Sequence, residues 1–585
     1  MKKTNLHLTF NRHFWLSFWR LLKPYWQSEE KKLAYTLLFL DIFFVMLSVE
    51  GNVWLSYCSK NLFNALQNFN MPLIWQNLIW MALVITLMFL SLGFAFYVNG
   101  LLALRWRQWL TKNTLRNWLA NKNYYRFQFL TEKVENPDQR ISEDLDKFTD
   151  LTLDMTFQVL QSLVLFVSFS ILLWRIGGHF SIPVGHLLIP IPGYLFWAAC
   201  LYGGLGLWLT NRVGKKLAGF NYDQQRYNAD FRFSLIKFRE SREEVALQGG
   251  EQSENSQFNA LFKKIYHNFI NIIQVKKRIT FLSFGFGYAS IPLATLCALP
   301  LFLSKKIQFG GLMQVSTGFS SIAASFTSLM QVYASFADWN SVIVRLTELN
   351  TAIEQAHELL PSKLIIHENN LSQHITLKNL NLFLPGGQKL LNSINLSLDL
   401  NENYLIKGRS GIGKSSLIRA LAGIWPFAEG SIYFPKDKKT FFLSQKTFFP
   451  LGTLKDSLLY PNQPSVTDDE LKELLGRFGL AKFQAELNEV KPWQQICSPG
   501  EQQLMALIRV VLNKPDILFL DEATSALDAA SQINAYQNLR LLLPHTSLIS
   551  IGHRADLEQF HSKILLFTQQ EKANAVVATS ALEIV

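Results

Sequence analysis

Charge is scarce in this chain. Asp, Glu, Lys and Arg make up 17% of its 585 residues, while hydrophobic residues reach 49% and aromatic ones 13%. That balance excludes a disordered, solvating polymer and is apolar for a wholly water-exposed protein, so long apolar runs are the first thing to seek. Cysteine is also sparse. Cys58, Cys200, Cys297 and Cys497 lie far apart with no Cys-x-x-Cys spacing, which excludes a cysteine zinc site and a disulfide framework and leaves buried free thiols. The N-terminal stretch MKKTNLHLTFNRHFWLSFWRLLKPYW carries positive charge but has no uninterrupted apolar core and no small-residue cleavage site, so it reads as retained. Acidic residues are the minority, 44 against 56 basic, for a net charge of +12. Nucleic acid and an anionic membrane surface both attract that sign, and the placement of the charges decides between them.

Long apolar runs are present. Six segments, near 34–57, 76–104, 155–174, 187–209, 280–303 and 312–336, approach or exceed the roughly 20 residues needed to cross a hydrocarbon core as helix. Lys2, Lys3, Arg12, Arg20, Lys23, Lys31 and Lys32 precede the first; Arg105, Arg107, Lys112, Arg116, Lys122 and Arg126 follow the second; a basic stretch from Arg212 to Arg278 separates the fourth from the fifth. By the positive-inside rule both termini and the two long connections are cytoplasmic, with Lys305 and Lys306 the exceptions on the outer side. Because the basic residues border apolar spans instead of forming one aromatic-interleaved surface, no nucleic-acid partner is expected. The connections contain ENPDQRISEDLDKF (135–148) and RESREEVALQGGEQSE (239–254), polar helix-compatible stretches placed where a cytoplasmic motor could push on them. Asp41 and Glu50 fall inside the first span, nine positions apart and therefore on opposite helix faces. A carboxylate at that depth faces a cavity or a partner; Glu50 is a candidate for the solute pathway or a structural hydrogen bond, and Asp41 sits nearer the cytoplasmic edge.

Past residue 337 the pattern changes to alternating stretches such as HITLKNLNLFL, read as strands of a soluble domain beyond Pro361. The expected organisation is a transmembrane domain over 1–340 with an N-terminal cytoplasmic elbow, a linker over 341–370 and an α/β domain over 371–585. In that domain GRSGIGKS (Gly408, Arg409, Ser410, Gly411, Ile412, Gly413, Lys414, Ser415), continuing into Ser416, lies between the strand YLIK and the helix SLIRALAG, and matches GxxxxGK[ST]. Its glycines let backbone amides turn toward phosphate oxygens, Lys414 reaches the β- and γ-phosphates, and Ser415 offers a hydroxyl to Mg²⁺. About one hundred residues on, DILFLDEATSALD reads as a buried strand delivering Asp521, a metal ligand, and Glu522, the general base for the attacking water. Gln445, after the strand in FFLSQKT, is placed at the metal or water, and His553, in SLISIGHR, at the γ-phosphate, orienting Glu522.

This order of motifs resembles that of ATP-binding cassette (ABC) transporters. Cys497-Ser498-Pro499-Gly500-Glu501-Gln502-Gln503 occupies the place of that family's LSGGQ signature, with Cys for Leu and Pro where Gly is common, and Leu504 stands for a frequent Arg. The resemblance implies that Ser498, Gly500, Glu501 and Gln502 act in trans on nucleotide held by a second copy, that Asp528 of Ala526-Leu527-Asp528 runs along the dimer interface, and that ATP and Mg²⁺ are the cofactors. The usual adenine-stacking aromatic is absent: Leu384 precedes the proline of NLFLPGGQ, with Phe383 adjacent. In the membrane half NLFNALQ, ENPDQRISEDLDKF, FRFSLIKFRESREEVALQGGE and GGLMQVSTGFSSIAASFTSLMQVYASFADW are similar to SbmA/BacA-like permeases fused to a cassette, relatives of the subfamily D transporters. The implied protein is a homodimeric half-transporter of the bacterial inner membrane, cassette and termini cytoplasmic, with six transmembrane helices in the exporter-type fold and lipid as its surroundings. The implied activity is ATP hydrolysis driving uptake of cobalamin, peptides or similar bulky hydrophilic solutes. Export of lipid, drug or acyl-CoA substrates is the alternative within transport, and an ATP-dependent membrane regulator without cargo is the alternative of another class.

Overall fold

The computed structural model describes residues 12–130, 136–184, 187–359, 363–369, 373–462, 465–570 and 579–584. Lys2, Lys3, Glu135 and Pro361, used above, lie outside them. The chain separates into two compact units, Met1–Asn117 with Val134–Thr351, and Trp118–Lys133 with Ala352–Val585.

The first unit is helical. A short helix, α1 (Arg12–Trp26), buries Phe18, Leu21 and Tyr25, spaced three and four apart so that one face is apolar, and Tyr25 stacks on Trp106 with centroids 5.8 Å apart. Long helices follow: α2 (Lys31–Gln67), α3 (Met71–Leu119), α4 (Leu145–Gly177), α5 (Tyr194–Gly214), α6 (Leu217–Glu240), α7 (Arg242–Gln248), α8 (Glu251–Leu303) and α9 (Phe309–Glu358). Helical runs over Lys31–Gln67, Met71–Phe129, Pro137–Gly177 and Glu251–Leu303 are, among the described residues, long and apolar enough to cross a membrane. They contain four of the six expected segments. The segment 312–336 lies within the longer α9. The segment 187–209 is corrected in part: β2 (Leu187–Pro192) pairs antiparallel with β1 (His179–Val184), and helix begins only at Tyr194, after Gly193 turns the chain at φ +61°. Pro190 and Pro192 remove amide donors that a helix there would need.

Small residues and a few polar bonds set the helix packing. A Cβ on Gly310 would lie 2.0 Å from the Lys60 carbonyl oxygen, so only glycine lets α9 approach α2 there, and the Gly310 amide donates to Asn64 Oδ1 at 2.9 Å. Trp339 Nε1 donates to Thr152 at 2.8 Å, and Arg345 makes a two-pronged bond to Asp144 at 2.7 Å on each arm, joining α9 to the N-terminal end of α4. The core between α4, α5, α8 and α9 consists of residues such as Phe169, Leu173, Leu195, Ala294 and Phe319.

The second unit holds two sheets. The smaller, ordered β3-β7-β4-β5, uses β3 (Leu364–Asn369), β4 (His374–Phe383), β5 (Lys389–Asp399) and β7 (Ala428–Pro435); β4 alternates buried and exposed residues until Asn379, at φ +48°, shifts its register. The larger is ordered β12-β11-β6-β10-β9-β8, from β6 (Tyr404–Gly408), β8 (Thr440–Leu443), β9 (Ile517–Asp521), β10 (Ser547–Ile551), β11 (Lys563–Gln570) and β12 (Thr579–Ile584), parallel except for β12. The four residues Ile517–Leu520 and all of β10 are buried, as a parallel strand covered on both faces requires; β10 includes the buried hydroxyls of Ser547 and Ser550. Helices α10 (Lys414–Leu421), α11 (Pro499–Asn513) and α12 (Ala529–Leu542) follow the strand edges that carry the motifs. Residues 118–133, from the end of α3 and the short helical turns that follow it, belong to this unit. Phe129 packs edge-on against Trp425 and Phe427 at 5.4 Å from each, and Asn121 bonds His357 at 3.3 Å.

Candidate functional site

The loop from Gly408 to Gly413 joins β6 to α10 through three left-handed glycines, Gly408 (φ +152°), Gly411 (φ +81°) and Gly413 (φ +111°). At two of them space as well as angle demands glycine: a Cβ on Gly408 would sit 2.8 Å from Phe567 Cβ, and one on Gly413 would sit 2.9 Å from Leu390 Cγ. Arg409 and Ser410 are exposed on the loop, whereas Ile412 packs against the core of the two sheets. The Lys414 ammonium folds over the loop and donates to the carbonyls of Gly408 (2.7 Å) and Arg409 (2.9 Å). Burial lowers its pKa below the ordinary lysine value, opposed by the Glu522 and Asp521 charges. A cation thus stands in a cradle whose walls are backbone.

Ser415 begins the exposed side of the same helix and donates its hydroxyl to Asp521 Oδ1 at 2.9 Å, so the two oxygen ligands proposed for a metal already touch. Burial pushes the Asp521 carboxyl above the usual range, with the Ser415 bond pulling the other way. The next residue, Glu522, sits at φ +50°, a conformation non-glycine residues seldom adopt, and its amide donates to Ile551 O at 3.2 Å. That turn aims the carboxylate off the strand end, where Oε2 receives Gln445 Nε2 at 3.4 Å and Oε1 lies 3.4 Å from His553 Nε2. Gln445, Asp521, Glu522 and His553 are therefore brought together at the carboxyl ends of β8, β9 and β10, and Lys414 and Ser415 join them from α10. Hydroxyl, carboxylate and amide oxygens suit Mg²⁺, which keeps much of its shell as water and phosphate. No group of three or more His, Cys, Asp or Glu that could hold a metal alone occurs among the described residues.

The signature segment stands apart from this cluster in its bonding. Ser498 caps α11: its hydroxyl accepts from the Glu501 amide (3.3 Å), its amide donates to Glu501 Oε2 (2.8 Å), and Glu501 also pairs with Lys482 at 2.5 Å. Gln502 donates to the carbonyls of Gln494 and Cys497, both at 2.9 Å. Gly500 is tight, because a Cβ there would lie 3.2 Å from Ala526 O. The unusual residues have physical reasons. Pro499 takes the first helical position, where its fixed φ is favourable, and Cys497 is a core residue whose thiol is pushed up to about 11 by burial. Asp528 caps α12 by accepting from Ser531 N at 2.7 Å, and its side chain is exposed. Glu50 is exposed on α2 and accepts from Trp54 Nε1 at 3.1 Å, whereas Asp41 is buried.

Arg509 escapes motif reading, and Gln503, the last residue of the signature stretch, has no role assigned by the motif. Gln503 is buried, accepts from the Ala526 amide at 2.9 Å and approaches Ser525 Oγ and Gln445 O at 3.4 Å, linking α11, the turn after Glu522 and the Gln445 loop. Arg509 donates to Ser457 O (2.6 Å) and Phe448 O (2.7 Å) and lies over the Phe449 ring at 4.9 Å, anchoring the strand exit that carries Gln445. Neither has a fixed spacing to a strand end that would have singled it out.

Comparison with known proteins bears on this arrangement. The family described as ABC transporter transmembrane region 2 matches residues 20–302, and the one described as ABC transporter matches 391–525. An ABC transporter ATP-binding protein of Haemophilus influenzae is 30% identical over 562 residues, covering 95% of this chain and 92% of its own. The chain belongs to the ABC transporters. The inner membrane ABC transporter ATP-binding protein YddA of Escherichia coli is 30% identical over 91% of this chain and 94% of its own, and ABC transporter D family member 2, chloroplastic, of Arabidopsis thaliana 28% over 96% and 87%. A bacterial Atm1-family ABC exporter, solved with ATP bound, shares the fold at a TM-score of 0.68 and 16% identity, over 91% of this chain and 93% of that one. This ABC chain is accordingly a multi-pass membrane half-transporter of exporter-type fold, with a cassette that couples ATP hydrolysis to transport.

Proposed function

We propose that two copies pair head to tail, so that each nucleotide lies between the phosphate loop of one copy and Ser498 and Gly500 of the other. The observation that carries this reading is the split in bonding: Lys414, Ser415, Asp521, Glu522, Gln445 and His553 converge on one locus, while Ser498 and Gly500 form a helix N-terminus bonded only within its own neighbourhood. A helix start is a ready anion site, and the lysine beside this one, Lys482, is already paired with Glu501.

In each composite site the phosphate-loop amides and Lys414 bind the triphosphate. Ser415, Asp521 and Gln445 would hold Mg²⁺, which would supply positive charge against the phosphate oxygens. Glu522 accepts a proton from the attacking water, and His553, 3.4 Å away, steadies that carboxylate. Closing the sites draws the cytoplasmic helix ends together and switches the side on which the membrane cavity opens; hydrolysis resets it. Work is delivered because the closed pair binds ATP more tightly than the open one.

The membrane is the bacterial cytoplasmic membrane, with the cassette inside. The cargo reading is uptake of cobalamin, peptides or comparable bulky hydrophilic solutes, supported by the likeness of the membrane stretches to fused permeases. The relative named as a D family transporter and the likeness to an exporter support outward movement as the second reading. Pairs of cysteines at Ser410 and Ser498, tested in the full chain with Mg-ATP, are expected to crosslink between copies; a chain that stays single under saturating Mg-ATP overturns the shared-site reading. Solute flux in oriented vesicles separates uptake from export.

A further inference from the structure

Helices α2, α3 and α4 enclose a crevice of about 510 Å³ near the cytoplasmic end of the membrane unit. Asp146, Asp150 and Asp154 follow one another at four-residue intervals on α4, so they form a row about 6 Å per step along one helix face. Arg107 pairs with Asp146 at 2.7 Å and also donates to Ser142 O, which uses the one cation lining the crevice among the described residues. Asp150 also borders a neighbouring cavity, where Arg345 pairs with Asp144, Arg140 with Glu348 and Lys147 with Glu143, and where Arg232 also stands.

The innermost residue supplies the second observation. Asp41 lines the crevice, is 1% exposed, and its Oδ2 has no hydrogen-bond partner; Asn99 serves the carboxyl from the other side. A buried carboxylate oxygen without a donor is costly, and an incoming N–H removes that cost. An anion is repelled by such a crevice. A bare metal ion is poorly served, since the acids are strung along a helix and no cluster able to hold a metal is found among the described residues. The remaining walls are apolar and aromatic: Phe157 is buried and Phe96, 84% exposed, stands at the rim, where a ring face attracts organic cations.

We propose that this crevice receives protonated amine or guanidinium groups of the transported solute, with Asp41 as the inner partner and Asp150 and Asp154 as the outer row. The inference rests on the transporter reading and narrows its cargo to organic cations carrying apolar or extended spacers, the class of polyamines and basic peptides.

The test uses the full chain in lipid vesicles with Mg-ATP, and spermine and a triarginine peptide as probes. Wild type is expected to bind both and to hydrolyse ATP faster in their presence. The double variant Asp150→Asn/Asp154→Asn, altered only on the exposed wall, is expected to raise the half-saturating concentration at least tenfold, and Asp41→Asn to do the same; Glu251→Gln, remote from the crevice, keeps the wild-type value. Equal affinity in wild type and the double variant, absence of binding by wild type, or displacement of spermine by equimolar K⁺ overturns the proposal. Basal Mg-ATP hydrolysis by wild type without any response to cations sinks this inference alone, whereas absence of hydrolysis by wild type sinks the transporter reading beneath it.

Discussion

Replacing Glu522 by Gln isolates the chemical step from nucleotide binding. The amide preserves the size of the side chain, takes the same left-handed backbone at φ +50°, and keeps an oxygen toward one of Gln445 and His553, each 3.4 Å from a different carboxylate oxygen now. What it loses is basicity. A positioned general base contributes a factor of about 10² to 10⁴, or roughly 3 to 5 kcal/mol of barrier at 1.36 kcal/mol per tenfold. Both contacts to Glu522 are long, so the carboxylate is held loosely and the lower half of that range, about 10² to 10³, is expected. Binding should not weaken, because the bonds of Lys414 and Ser415 run to loop carbonyls and to Asp521, and removal of a negative charge beside the triphosphate lowers repulsion. Phosphate release at saturating Mg-ATP, alongside equilibrium binding of a fluorescent ATP analogue, measures the two effects separately. A variant hydrolysing within twofold of wild type, with that activity still abolished by Lys414→Ala, refutes the assignment of Glu522 as base.

Three further outcomes follow from the cassette's geometry. Burial raises the Asp521 carboxyl above its unfolded value, so ionising it opposes folding. That cost is absent below the ordinary carboxylate range and grows as pH rises from there through the raised value; Asp521→Asn should therefore stabilise the nucleotide-free cassette at neutral pH, seen as a higher thermal midpoint, and erase its response to Mg²⁺. Gly500→Val places side-chain atoms against Ala526 O, already 3.2 Å from the Cβ position, and should cut turnover at least tenfold with little change in expression; unchanged turnover would contradict the close approach. Arg509→Met removes two bonds from a charged donor to Ser457 O and Phe448 O, each worth about 1.5–3 kcal/mol, and should lower chemical stability of the cassette by about 3 kcal/mol in denaturant titration followed by Trp fluorescence.

Much of this architecture was legible because its signals are local. Hydrophobic runs locate α2, α3, α4 and α8, and the strands ending in Asp521, Gln445 and His553 were visible as short apolar runs capped by polar residues. Where a non-local partner decides the outcome, local reading fails. The apolar stretch from Leu187 pairs as a strand with His179–Val184, a choice made by two prolines and a partner strand, which hydropathy does not register. Gln503 and Arg509 look like interior helix residues until the Ser525 turn and the Phe448 loop are folded against them. The acid row of α4 likewise reads as a solvated face, since its spacing is evident but the buried Asp41 across from it is not.

The lodging of Phe129 between Trp425 and Phe427 has a practical corollary for anyone dissecting this protein. Truncation at residue 352 yields a nucleotide-binding fragment stripped of 118–133, with two large rings left bare to solvent and prone to self-association. Grafting that missing loop back, or supplying it as a peptide, is the route to a well-behaved isolated ATPase.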